Sequence, residues 1–206
     1  LTLGFMLGLC RNLFTSGYKL KNGVWEKDGG QQLSGKTIGI IGCGHVGSEV
    51  IRLLSPFECS ILVYDILDKS KFCQSHRARI ATLEEVIHKS DLISLHVPLT
   101  NLTEGMVNEN FLEKMKPTGF LINTSRGNIV DQNSLKKALI NGQIKGAALD
   151  VFEEEPPQDY EFLLLPNLMV TPHIGGNAEE AINAMGLSAI NHLMSFFNKH
   201  SKEKTT

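Results

Sequence analysis

Between residues 37 and 170, apolar runs of strand length alternate with stretches of helical periodicity, and no other feature of the sequence restricts the fold as tightly. The expected strands are 37–41, 61–64, 91–97, 120–123, 145–149 and 168–170. Between them, 46–54 reads as a helix ended by Pro56, and 82–88 as a short helix with a Thr82 cap and Glu85 three residues on. Residues 131–140 read as a helix closed by Asn141 and Gly142. Strands that alternate with helices imply a parallel sheet built from right-handed βαβ units, with helices on both faces. Ligands of such sheets bind beyond the carboxyl ends of the strands, where the strand order reverses.

The first strand runs directly into Gly42-Cys43-Gly44-His45-Val46-Gly47, and a helix follows at once. In this G-x-G-x-x-G pattern each glycine has a mechanical task. Gly42 makes the tight turn, Gly44 lets a pyrophosphate approach the backbone, and Gly47 lets helix and strand pack closely. The free N–H groups at the helix start face the phosphate charge. Glycines alone would be weak evidence, but the next strand ends in Asp65, an acid at the spacing of about 20 residues that this motif requires. Its carboxylate would accept hydrogen bonds from the adenosine ribose hydroxyls and repel a 2′-phosphate, which favours NAD over NADP. A merely solvated loop acid is the ordinary alternative for Asp65, and strand, motif and spacing together disfavour it. The expected architecture is therefore α/β, a Rossmann-type doubly wound sheet.

Before this region, Leu3, Met6, Leu7, Cys10, Leu13 and Phe14 recur at helical spacing, and Leu1, Phe5 and Leu9 widen the apolar surface. One helix is expected there, then a glycine-rich loop over 19–35 that holds the only tryptophan, Trp25. The apolar start lacks a basic n-region and is too short for a bilayer span, so neither a signal peptide nor a membrane anchor is expected. A helical pattern already under way at the first residues fits a chain that begins within a longer protein. The last helix is expected over 178–197, with a frayed polar tail from 198 to 206.

The formal charge of −2 gives no reason to expect nucleic acid or an anionic membrane as partner. The four cysteines, Cys10, Cys43, Cys59 and Cys73, show no C-x-x-C pair and no zinc-type spacing, so no metal is expected. They read as reduced, mostly buried thiols of a cytoplasmic protein.

A dinucleotide fold does not name a reaction. The second half of the sequence is more specific. The segments Ser94-Leu95-His96-Val97-Pro98-Leu99-Thr100, Met115-Lys116-Pro117 and Leu121-Ile122-Asn123-Thr124-Ser125-Arg126-Gly127 follow in order. Then come the run from Gly146 through Asp150 to Glu153-Glu154-Glu155-Pro156, and Thr171-Pro172-His173-Ile174-Gly175-Gly176. Together these segments resemble the D-isomer-specific 2-hydroxyacid dehydrogenases, most closely the D-3-phosphoglycerate dehydrogenase branch, over nearly the whole chain.

The resemblance implies an NAD-dependent oxidoreductase that interconverts a D-2-hydroxy acid and its 2-keto acid. By the same resemblance His45 and Val46 contact the pyrophosphate through backbone, Val97 and Pro98 line the adenine side, and Asp65 holds the ribose. Thr124, Ser125 and Arg126 flank the nicotinamide ribose, and Asp150 binds the carboxamide. His173, Gly175 and Gly176 complete the cofactor contacts, and Arg126, Glu155 and His173 form the catalytic set. Glu155 is chosen from the three glutamates because the family's acid immediately precedes the proline, which leaves Glu153 and Glu154 as surface acids. The family also implies a smaller flavodoxin-like substrate domain, largely missing from this sequence, without which the chain would be inactive, and a homodimer contact through the first helix. The implied division is 1–33 for the interdomain and dimerisation segment, 34–174 for the NAD-binding domain and 175–206 for the C-terminal helix and tail. Two other readings stay open: a hydroxypyruvate or glyoxylate reductase, and an NAD(H)-sensing corepressor on the same fold.

The residue types suit the chemistry. Oxidising a 2-hydroxy acid removes a proton from oxygen and a hydride from carbon. Imidazole is the natural base near neutral pH, and a carboxylate such as Glu155 supports the imidazolium that forms. A guanidinium fork suits a substrate carboxylate and can polarise a keto oxygen. For the remaining histidines the ordinary readings are stronger. The His45 imidazole is incidental, His96 packs at a strand end, and His76, His88, His192 and His200 face solvent. Cys43 is expected to be inert.

Overall fold

The structure, a computed structural model, describes residues 1–203, with side chains described to residue 197. Two compact units are present, Leu1–Pro172 and His173–Thr206.

The first unit is built on a seven-stranded, wholly parallel sheet: β1 Thr37–Ile41, β2 Ser60–Tyr64, β3 Ala78–Ile80, β4 Leu92–Leu95, β5 Phe120–Asn123, β6 Gly146–Leu149 and β7 Leu168–Val170. Their order is β3-β2-β1-β4-β5-β6-β7, so the direction of winding reverses between β1 and β4. Successive residues of each central strand enter opposite cores. Ile38 and Ile40 face one side with Ile61, Val63, Leu92, Phe120, Ile122 and Ala148. Ile41 faces the other with Leu62, Ile93, Leu95, Leu121, Ala147 and Leu149. Burial on both faces is why these strands read as unbroken apolar runs rather than as an alternating pattern.

The first layer is covered by α1 Thr2–Cys10, α3 His45–Leu54 and α4 Ser70–Ser75. α5 Leu83–Lys89, α6 Glu109–Glu113, α7 Gln132–Ile140 and α8 Tyr160–Leu163 cover the second. α3 shows how the glycine motif is held in place. Val50, Ile51 and Leu54 lie on one face and are buried, each contributing about 1.5–3 kcal/mol on leaving water. The expected Thr82 cap is present, its side chain accepting from the Glu85 N–H at 3.1 Å.

Several boundaries differ from expectation. The first helix is two, α1 and α2 Leu13–Lys21, broken where Asn12 takes a left-handed conformation (φ 52). The buried side is Phe5, Met6, Leu9 and Cys10, while Leu13 and Phe14 are exposed on α2. α2 also occupies the start of the expected loop. The expected strand 91–97 is trimmed to β4, because the chain turns into the ligand-facing loops beyond Leu95. β3, α4, α6 and α8 were not foreseen, being short elements that carry little periodic signal.

In the second unit, α9 runs Glu179–Glu203, longer at its C-terminal end than expected. Its expected frayed tail and the His200 side chain lie outside the described side chains. Ile182, Met185, Ile190, Leu193 and Phe197 are exposed along it. Among the described residues, no helix is long and apolar enough to cross a membrane.

Candidate active site

Because all seven strands are parallel, their carboxyl ends share one edge of the sheet. Gly42 follows β1, Asp65 follows β2, His96 and Val97 follow β4, Thr124 to Arg126 follow β5, and Asp150 follows β6. The sequence-expected residues of the first unit therefore converge through topology.

The glycine turn has the geometry its sequence requires. Gly42 has φ 93 and lies against the exit of the neighbouring strand β4, where a Cβ would be 2.6 Å from the His96 carbonyl oxygen. At Gly47 a Cβ would sit 2.0 Å from the Gly42 carbonyl oxygen, so helix and turn touch backbone to backbone. Gly44, at the N-cap of α3, is different: a Cβ there would meet nothing within 4 Å. The backbone at Gly44 therefore faces open space, and His45 and Val46 beside it are exposed. A cavity of about 940 Å³ opens here, lined by Gly42, Gly44, Asp65, Lys69, His96, Val97 and Pro98 among others. That volume suits a nucleotide-sized ligand.

Asp65 is fixed in this cavity by two backbone donors. Its Oδ2 accepts from the Cys43 N–H at 2.6 Å, and its Oδ1 accepts from the Leu67 N–H at 2.8 Å. Each oxygen keeps lone-pair capacity for a ligand hydroxyl. Cys43, though adjacent, is buried, and burial pushes its thiol up to about 11, with Cys73 adding to the effect. It is protonated near neutral pH and correspondingly unreactive. Among the described residues, no group of three or more His, Cys, Asp or Glu could hold a metal ion.

Half-buried His96 makes a 2.9 Å hydrogen bond between its Nε2 and the Ser94 hydroxyl, and its backbone N–H donates to the Ile41 carbonyl oxygen. Burial pulls its pKa down to about 4, so it lines the cavity uncharged. His76 departs from expectation. It is half-buried, stacked on Phe72 at 4.1 Å and bonded to the Phe72 carbonyl oxygen.

Two loops carry the remaining groups of the first unit. After β5, Thr124 bonds through its hydroxyl to Thr2 of α1 at 2.9 Å, and Arg126 folds its Nη1 onto the Ser125 carbonyl oxygen at 2.6 Å. After β6, Asp150 is buried and accepts from the Thr171 hydroxyl, and Glu155 accepts from the Phe152 N–H at 3.1 Å. Glu153 is exposed as expected but has a further task, accepting from the Gln132 N–H at the first turn of α7. A Cβ at Gly127 would lie 1.8 Å from the Phe152 carbonyl oxygen, so the two loops are in backbone contact.

His173, Gly175 and Gly176 belong to the second unit and are exposed. His173 has φ 54, a left-handed backbone conformation uncommon for a residue with a side chain. Sequence reasoning missed Thr2, Thr171 and Asn123, whose contacts join residues far apart in the chain or within the backbone of one loop.

A parallel doubly wound sheet, a glycine turn at the start of α3 and an acid closing β2 define a dinucleotide-binding domain. Residues 3–175 match the family described as D-isomer specific 2-hydroxyacid dehydrogenase, NAD binding domain, and the chain belongs to that family. It is 38% identical over 189 residues to a D-3-phosphoglycerate dehydrogenase of Methanocaldococcus jannaschii, covering 90% of this chain and 36% of that one. A glyoxylate reductase of Pyrococcus furiosus is 40% identical over 200 residues, covering 93% and 60%. The D-lactate dehydrogenase of Aquifex aeolicus, solved with NAD and lactic acid, superposes with a TM-score of 0.88 at 28% identity, covering 96% of this chain and 65% of that one. The chain thus spans less than two thirds of each relative's length.

Proposed function

We propose that this chain is the cofactor-binding half of an NAD-dependent D-2-hydroxyacid dehydrogenase, with residues 34–174 forming the NAD-binding domain. The observation that carries the reading is the convergence at one sheet edge of the open Gly44 turn, the fixed Asp65 carboxylate and the touching loops that hold Arg126 and Glu155. When bound, NAD accepts or returns a hydride, and the protein supplies position and electrostatics.

In this reading the backbone of Gly44, His45 and Val46, ahead of Gly47, takes the pyrophosphate, and Asp65 takes the adenosine ribose hydroxyls. Val97 and Pro98 cover the adenine. Thr124 and Ser125 hold the nicotinamide ribose, and Asp150 the carboxamide. Gly175 and Gly176 are further cofactor contacts that the family resemblance implies. Arg126 grips the substrate carboxylate and polarises the oxygen at C2. His173 takes the hydroxyl proton in oxidation and returns it in reduction, with Glu155 supporting the charged imidazole.

The greater length of the relatives supports a second domain that completes the substrate side, so activity belongs to the complete protein. Among substrates, 3-phosphoglycerate stands first, which would place the enzyme in serine biosynthesis, with glyoxylate and hydroxypyruvate next. The four free cysteines suit a reducing, cytoplasmic setting. Exposed Leu13, Phe14, Tyr18 and Leu20 on α2, with Trp25 beyond, support a homodimer through residues 1–33. Light scattering tests it: a stable dimer at micromolar concentration agrees, a monomer refutes it.

Turnover of a panel of 2-hydroxy and 2-keto acids by the complete protein with NAD(H) tests the function. Oxidation of at least one D-2-hydroxy acid is expected, and failure on every member would defeat the reading.

A further inference from the structure

Asn123 closes β5 with 0% exposure, in a strand buried on both faces. An apolar residue would fill such a place without desolvating an amide, so the carboxamide calls for an explanation. Its side-chain hydrogen bonds all go to the loop after β5. Its Oδ1 accepts from the Ser125 N–H at 3.0 Å and from the Ser125 hydroxyl at 2.8 Å. Its Nδ2 donates to the Arg126 carbonyl oxygen at 2.9 Å. Its backbone carbonyl accepts the Asp150 N–H at 3.0 Å, tying in the loop after β6. The Gly127 approach to Phe152 then limits movement of the same segment from its other end.

We infer that Asn123 is a positioning residue: its buried amide sets the backbone of Arg126 and so aims the guanidinium at the substrate, while its carbonyl oxygen separately orders Ser125 on the cofactor side. The inference rests on the substrate role proposed for Arg126. The two ends of the amide thus serve different ligands, and they can be separated chemically. Asn123→Asp keeps an acceptor for Ser125 but turns the donor toward Arg126 into a second acceptor facing a carbonyl.

In the complete enzyme, Asn123→Asp should lower kcat/KM for the keto acid by about tenfold to a hundredfold, the scale of a misplaced catalytic group. NADH affinity should change by less than about threefold, because the Ser125 contacts persist. On an Arg126→Ala background the same change should cost almost nothing more, since residues acting through one another are not additive. Losses that add in this cycle, an unchanged kcat/KM, or a fall in NADH affinity as large as that in kcat/KM would overturn the inference. If Asn123→Asp does not fold, Asn123→Ala is run through the same cycle without the NADH criterion, because alanine also removes the acceptor for Ser125, and losses fully additive with Arg126→Ala still overturn the inference. Amide exchange of Ser125 in the 206-residue chain needs no turnover, and Asn123→Ala should speed it by about tenfold or more through loss of its acceptor. Unchanged exchange also overturns the inference. A wild-type enzyme without turnover defeats the functional reading instead, and the exchange measurement still decides whether Asn123 orders the loop.

Discussion

Alanine at Gly44 and alanine at Gly47 should fail in opposite ways, although the two glycines belong to one motif. Gly44 has φ −80 and ψ −155, which an L side chain accepts, and no atom lies within 4 Å of its added Cβ. Gly44→Ala should leave the fold intact and could raise stability by about 0.4–1 kcal/mol through the unfolded chain. The methyl would nevertheless stand where the pyrophosphate approaches the backbone. Loss of one charge-assisted hydrogen bond, worth about 1.5–3 kcal/mol, corresponds to roughly tenfold to hundredfold weaker NADH binding. Gly47→Ala puts its Cβ 2.0 Å from the Gly42 carbonyl oxygen and 3.1 Å from the Gly42 carbonyl carbon, so α3 must retreat from the turn. Backbone resists such a shift more than a side chain does, and about 3 kcal/mol is expected. That lowers Tm by roughly 6–12 °C in a chain of this size. Thermal melts and NADH fluorescence titration on both variants give the comparison. Gly44→Ala with unchanged affinity, or Gly47→Ala with a wild-type melt, would refute the geometry.

Three further outcomes follow from particular groups. In the complete enzyme, His173→Ala should lower kcat by about 10²-fold or more, and Glu155→Gln should chiefly displace the pH profile; a near-normal kcat for His173→Ala would reject the proposed base. Ser90 is buried and its Oγ has no hydrogen-bond partner, so Ser90→Ala should stabilise the chain by about 1 kcal/mol, read as a higher urea midpoint, and a lower midpoint would contradict this. His96, held near 4 in the folded chain against 6.5 for the free side chain, binds fewer protons folded than unfolded between those values. Stability should therefore fall as pH drops from about 6.5 to 4, and His96→Gln should remove part of that slope; parallel pH profiles for the two chains would count against it.

The sheet was legible because burial on both faces writes an unbroken apolar run, and the glycine motif because its spacing sets a tight turn at Gly42, an open backbone at Gly44 and a close helix contact at Gly47 in order. The place of Asp65 at the end of β2 was legible from strand, motif and spacing together. The break between α1 and α2 was not, since it depends on a left-handed Asn12 within an otherwise continuous apolar pattern. β3, with its half-buried and exposed residues at the sheet edge, carried too little hydrophobic contrast to be read. Asn123 lay within a motif read for its neighbours, yet its role emerges only from an amide that bonds forward to Ser125 and Arg126. Thr2 and Thr171 act through contacts across the fold, with Thr124 and Asp150, that no local spacing announces.

The central claim, that this chain is an NAD-selective cofactor domain, is tested most directly by titrating it with NADH and with NADPH while following nicotinamide fluorescence. The Asp65 carboxylate, fixed by the Cys43 and Leu67 N–H groups, should give saturable NADH binding and a weaker NADPH isotherm, because a 2′-phosphate meets like charge. Asp65→Ala should narrow the gap. Equal affinities in the wild-type chain, or no saturable binding of NADH, would contradict the account.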